Sequence, residues 1–199
     1  MPNQVLDLNP VDYMIPGAVG EPGKRVFYLQ ARKGRRLITV VCEKEHVAAL
    51  ALATERLLLA LTGPEAGADA AAEPDPMTMS MSLEYPLEPL FRVGQINLGY
   101  DEISKRVVII ALEALEEPAG RQAASDMRHG EDAAPEASGT EGDESTPSMV
   151  RFWVTPAQMR AFSIRGQELV AAGRPTCAMC GQPIDPEGHF CPRRNGHRK

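Results

Sequence analysis

Two apolar stripes, one in each half of the chain, limit what it can fold into. Val47, Leu50, Thr54, Leu57 and Leu58 have the same mutual spacing as Met159, Phe162, Gly166, Leu169 and Val170. Such steps return a side chain to one face of an α-helix, so each set marks a helix with one buried side. The first helix is predicted over Lys44 to Leu61 and the second from Thr155 to about Ala172. Each follows a run that suits a strand, Val40-Val41-Cys42 in one case and Phe152-Trp153-Val154 in the other. A one-sided helix must bury its stripe against another layer, and a sheet supplies that layer. The expected class is α+β, an antiparallel sheet with two packed helices. The matched stripes also suggest a duplicated strands-then-helix unit, although any two core-facing helices can share so short a pattern.

The other elements follow from alternation and from breakers. Val5 to Leu8 reads as a short edge strand, after which Pro10, Pro16, Gly17, Gly20, Pro22 and Gly23 interrupt regularity. In Lys24 to Arg32, Phe27, Leu29 and Ala31 face one way and Val26, Tyr28 and Gln30 the other. Lys33-Gly34 turns the chain, and Arg35 to Cys42 returns rich in β-branched residues. Phe91 to Tyr100, the apolar run Arg106 to Leu112, and Met149 to Val154 are the further strands. Gly63-Pro64 stops the first helix. Thr155, Pro156 and Gln158 open the second with a capping box. Two stretches, about 63–78 and 117–148, are dominated by Ala, Glu, Asp, Gly, Ser and Pro and cannot bury enough apolar surface to fold. The expected organisation is a core over 1–172 carrying two disordered inserts, then a tail over 173–199.

The tail carries the one strong chemical signal. Three of the chain's four cysteines fall there, as Cys177-Ala178-Met179-Cys180-Gly181 and then His189-Phe190-Cys191. A Cys-x-x-Cys pair wraps two sulfurs around one ion, and Gly181 permits the tight turn after it. Cys191 supplies a third sulfur. The fourth ligand is His189 or His197; His189 lies inside the compact knuckle and points the same way as Cys191 on an extended segment. Cys177, Cys180, His189 and Cys191 are therefore the expected ligands of a structural Zn2+, because three thiolates and an imidazole leave no open position. The tail has little apolar content beyond Met179, Ile184 and Phe190, so the metal would order it.

Composition excludes more than it assigns. A net charge of −6 argues against wholesale phosphate binding. Arg193, Arg194, Arg198 and Lys199 nevertheless make the tail locally basic, and a nucleic-acid-binding knuckle is one alternative. Met1-Pro2-Asn3-Gln4 has no basic-then-apolar signal pattern, and Thr54-Glu55-Arg56 breaks the most apolar helix, so a cytoplasmic protein without a membrane span is expected. Cys42 reads as a small core residue and His46 as a helix-start residue without a catalytic partner; His129 lies in the acidic insert. Tyr100-Asp101-Glu102 places two carboxylates at a strand end, the second alternative being an enzyme site there. No phosphate loop, dinucleotide fingerprint or nucleophile elbow is present.

Further motifs are Asp12-Tyr13, Arg25-Val26-Phe27-Tyr28-Leu29-Gln30, Phe91-Arg92-Val93-Gly94, Leu98-Gly99-Tyr100-Asp101, Arg160-Ala161-Phe162, Gly173-Arg174-Pro175 before Cys177, and Asp185-Pro186-Glu187-Gly188-His189 before Cys191. Together they resemble the actinobacterial family of unknown function DUF3090, also called a "repeat protein" family. The resemblance covers nearly the whole chain and favours His189 over His197. It implies no established activity. It does imply partners encoded nearby, a phosphoglycerate-mutase-like phosphatase or a lipid-kinase-like protein. The expectation is an accessory or protein-interaction module rather than an enzyme.

Overall fold

A computed structural model of the chain describes residues 4–62, 73–115, 147–173, 175–182, 184 and 188–195. Seven strands form one mixed sheet: β1 Val5–Leu8, β2 Tyr13–Val19, β3 Val26–Lys33, β4 Arg36–Cys42, β5 Pro89–Asp101, β6 Arg106–Glu113 and β7 Met149–Val154. The helices are α1 Lys44–Thr62, α2 Pro76–Ser80, α3 Pro156–Ala171 and the short α4 Pro192–Asn195. The sheet order is β1-β7-β6-β5-β4-β3-β2. Antiparallel pairing holds within β2-β3-β4 and within β5-β6-β7, and β4 with β5 and β1 with β7 are parallel joins. The class is α+β, and α1 and α3 pack on one another and on the sheet.

The sheet must curl. β1 and β2 lie at its opposite ends, yet only Asn9–Asp12 join them. Seven strands spaced at about 4.8 Å would hold flat ends about 29 Å apart. The link from Leu8 to Tyr13 reaches at most about 18 Å. Two backbone bonds mark where the ends meet: the Val11 N–H donates to Trp153 O on β7 at 3.0 Å, and the Asp12 N–H donates to Arg32 O on β3 at 2.7 Å. One face of the strands and the helix stripes form a single core that includes Leu29, Val40, Val47, Ile109, Phe152, Met159 and Phe162.

Two strands-then-helix units follow one another. Leu29 pairs with Val40 in one half as Ile109 pairs with Phe152 in the other, and Cys42 and Val154 end the strands before α1 and α3. Pro16 sits opposite Leu29 as Leu98 sits opposite Ile109. Asp7 sits opposite Arg151 as Pro89 sits opposite Thr39. Asp7 and Pro16 are as far apart along the chain as Pro89 and Leu98, so β1 and β2 together occupy the place of the single long β5. The helix pair obeys the same relation. Ser163 donates to Ala51 O at 3.0 Å and Gln167 Nε2 to Glu55 Oε1 at 2.6 Å, each pair 112 residues apart. Positions that touch their own counterparts lie on a local two-fold axis, which here runs between the helices.

Two segments depart from the sequence reading. β2 contains Pro16 and Gly17, which read as breakers; Pro16 is tolerated because β2 is an edge strand and needs no donor on its open side. α2 begins within the stretch read as linker over about 63–78 and runs on to Ser80. Asp75 caps it by accepting from the Thr78 N–H at 2.7 Å, and Pro76 occupies its first turn. The following residues cross the outer face of β2 and β3, where Gln30 Oε1 accepts from Glu84 N at 2.8 Å and Gln30 Nε2 donates to Glu84 O at 3.0 Å. Residues 63–72 of the first insert and 117–146 of the second lie outside the described residues.

Candidate metal centre

Beyond α3 the chain forms a small hairpin. The Cys177 N–H donates to Gln182 O at 2.8 Å and the Ile184 N–H to Pro175 O at 2.7 Å, which holds the two arms together. Between them the Gly181 N–H closes back on Cys177 O at 2.8 Å. Gly181 has φ of 73°, the left-handed region that glycine enters without steric cost. This turn presents the Cys177 and Cys180 sulfurs on one side. His189 and Cys191 arrive on the next segment, and Arg193 donates to Met179 O at 2.9 Å across the turn.

The result is a Cys3His cluster. The Cys177 and Cys191 sulfurs are 3.9 Å apart, and Cys180 Sγ is 3.2 Å from His189 Nε2. All four ligand atoms lie within 4.8 Å of one another, and Cys191 is buried. Such a set can hold a metal ion. The structure thus brings together the four residues that spacing singles out, and His197 lies outside the described residues.

Electrostatics inside the cluster favour a cation. The backbone N–H groups of Cys180 and Met179 pull the Cys177 thiol down to about 6. At Cys180 the N–H of Gln182 also pulls down, but burial and the sulfurs of Cys177 and Cys191 together push that thiol up. One thiolate forms readily and then opposes the next, and a bound cation removes the opposition.

Cys42, His46, Tyr100 and Asp101 have structural roles, and His129 lies outside the described residues. Cys42 is buried, and desolvation with the Glu43 charge pushes its thiol up to about 12. His46 Nδ1 accepts from the Glu43 N–H at 3.2 Å, as Gln158 Oε1 accepts from Thr155 N at 3.0 Å at the start of α3. Asp101 accepts from Ser104 N at 2.8 Å and from its hydroxyl at 2.5 Å, which holds its carboxyl below the ordinary range and commits it to the β5–β6 turn. Tyr100 packs against the core. Sequence reasoning missed a partly buried trio, in which Glu84 accepts from both Tyr13 and Arg32. Its signal was indirect, since Glu84 sits in a segment without periodicity.

The family described as "Protein of unknown function (DUF3090)" matches residues 6–191. The chain belongs to the DUF3090 family. The match ends on the last cysteine of the cluster, so all four ligand positions fall within the DUF3090 span and His197 falls beyond it. Neither the curated proteins nor the solved structures contain a match to this DUF3090 chain. Among its described residues no helix is long and apolar enough to cross a membrane.

Proposed function

We propose that the chain is a cytoplasmic accessory module whose C-terminal hairpin is ordered by one structural zinc ion on Cys177, Cys180, His189 and Cys191. The carrying observation is the convergence of four ligand atoms within 4.8 Å. Two zinc-bound thiolates at about 2.3 Å, set at the tetrahedral angle, stand about 3.8 Å apart. The Cys177 and Cys191 sulfurs stand 3.9 Å apart. Three sulfurs and an imidazole complete the tetrahedron, which is the signature of a site that holds shape. The hairpin has no core of its own, with Met179 50% and Phe190 73% exposed, so metal binding supplies its folding free energy.

The test is metal content and coordination. Chain purified without chelators should carry one zinc per molecule, with an X-ray absorption spectrum fitted by three sulfurs and one nitrogen. Cys177→Ser and Cys180→Ser should abolish stoichiometric binding. Metal-free protein, or an oxygen ligand in place of the nitrogen, would overturn the reading. The first partners to test are a phosphoglycerate-mutase-like phosphatase and a lipid-kinase-like protein, whose association the family resemblance motivates. Failure of both to copurify with the zinc-loaded chain would count against that pairing.

A further inference from the structure

The repeat creates two equivalent grooves between a helix and the first strand of the opposite unit, and among the described residues only one is filled. In the α3/β2 groove lies α2, which contacts both elements. The Asp75 N–H donates to Ala157 O at 3.0 Å at its start. At its end, Arg165 Nη1 donates to Thr78 O at 3.0 Å and Met79 O at 3.1 Å, and also to Met81 O. Thr78 is fully buried. The counterpart groove, between α1 and β5, is an open cleft of about 240 Å³. Its lining is Ala49, Leu50 and Ala53 from α1 with Ile96 and Leu98 from β5, and His46 and Asn97 stand at its margin. Among the described residues β5 pairs beyond Arg92 only with β6, which leaves the strand edge along this cleft without a ladder partner there.

The repeat also says what is missing. The chain after α1 supplies α2 to the α3/β2 groove. By the same path the chain after α3 would supply the α1/β5 groove, and it leaves α3 at Gly173, beside the Lys44 ammonium at the start of α1. Instead that chain is turned into the Cys3His hairpin, whose hydrogen bonds between Cys177 and Gln182, Ile184 and Pro175, and Arg193 and Met179 are internal.

We propose that the α1/β5 groove is a docking site for a short helical turn of a partner protein, entered through an Asp-Pro start and burying one small side chain, as α2 buries Thr78. The inference rests on the reading of the chain as an interaction module and adds the surface on which it acts. Ala53 stands where Arg165 stands in the filled groove, so the guest is held by apolar contact rather than by a guanidinium cap. His46 spends Nδ1 on the Glu43 N–H, which leaves Nε2–H as a donor at the margin.

The probe is a synthetic peptide of residues 73–84, titrated into the full-length, zinc-loaded, isotope-labelled chain by NMR. Expected are amide shifts confined to Ala49, Ala53 and Ile96–Leu98, saturating with a dissociation constant of roughly 1 mM or tighter, the range open to so small a contact. Ala53→Trp fills the cleft and should weaken binding at least about tenfold, and Ala49→Arg, at an exposed position, should do the same without touching the core. Absence of groove shifts at about 5 mM peptide overturns the proposal. So do shifts at Arg165, which mean exchange with α2, or contacts between the Phe190 ring and the Ala53 methyl, which mean that the chain's own tail fills the cleft. Concentration-dependent groove shifts without peptide would assign it to a second copy. Zinc content of the same sample reports separately on the metal reading.

Discussion

Backbone donors hold the thiol of Cys177 down to about 6, while burial and its sulfur neighbours push that of Cys180 up, so gathering the sulfurs as thiolates is opposed until a cation offsets their charge. Binding therefore competes with protons. Between about pH 7 and pH 5, zinc affinity should fall on the order of a hundredfold per pH unit, as two or three protons replace each ion. A chromogenic chelator titration at several pH values checks this, and an affinity flat over that range would contradict a thiolate site. A second residue-scale prediction concerns Glu84. Its hydrogen bonds from Arg32, and then from Tyr13, hold its carboxyl below the ordinary range. A native pKa below the unfolded one stabilises the fold above about pH 4, and that contribution is lost as pH falls through the native value. Glu84→Gln should cost about 0.5–1 kcal/mol at pH 7, and the cost should shrink as pH falls below about 4, measured by urea unfolding. The two cases differ in legibility. Cysteine spacing within one short segment is a local code for a site. The Tyr13–Arg32–Glu84 trio joins three distant segments, and no sequence periodicity links them.

At the scale of elements, α1 and α3 meet closely because Gly166 lets them. A Cβ there would lie 3.3 Å from Val47 Cγ1 and 3.4 Å from the Ala51 methyl. Gly166→Ala should be near neutral, since the gain in helix propensity of about 1 kcal/mol offsets the tight contact. Gly166→Leu should wedge the helices apart and cost about 1–3 kcal/mol, read as a lower urea midpoint with an unchanged slope. The segment after α2 depends on Gln30, a fully buried side chain that bonds both backbone groups of Glu84 and the Thr39 hydroxyl. Gln30→Ala leaves these without partners and should cost about 1–3 kcal/mol. Hydrogen exchange should quicken most at Glu84. Helices and central strands were legible because period and capping are local; Met149–Val154 and the capping box at Thr155 are as the residues dictate. β2 was not, because an edge strand tolerates the very proline that reads as a breaker. α2 was not, because five residues carry no period and owe their order to Arg165 and β2.

For the whole molecule, the repeat explains where the chain tolerates length. The β3–β4 connection is a tight turn from Lys33 to Arg36, and the equivalent β6–β7 connection holds the acidic stretch 116–146. Its ends are nonetheless at hairpin distance. Leu112 pairs with Met149, and the Glu113 N–H donates to Ser148 O at 2.9 Å while Glu113 Oε2 accepts from Ser148 N at 3.1 Å. The pairing of β6 with β7 therefore does not depend on what lies between. Replacing residues 115–147 with a four-residue Asn-Gly turn should leave fold and zinc content intact, because such a turn matches the twist of the strands. Cutting a loop to roughly an eighth of its length lowers its closure entropy cost by about 2 kcal/mol. The shortened chain should gain up to that amount in urea unfolding, with a similar slope. A large loss would mean that the acidic stretch packs on the sheet and belongs to the core. Retained stability with lost partner binding would instead give the stretch a role in recognition, apart from the fold that the two units make on their own.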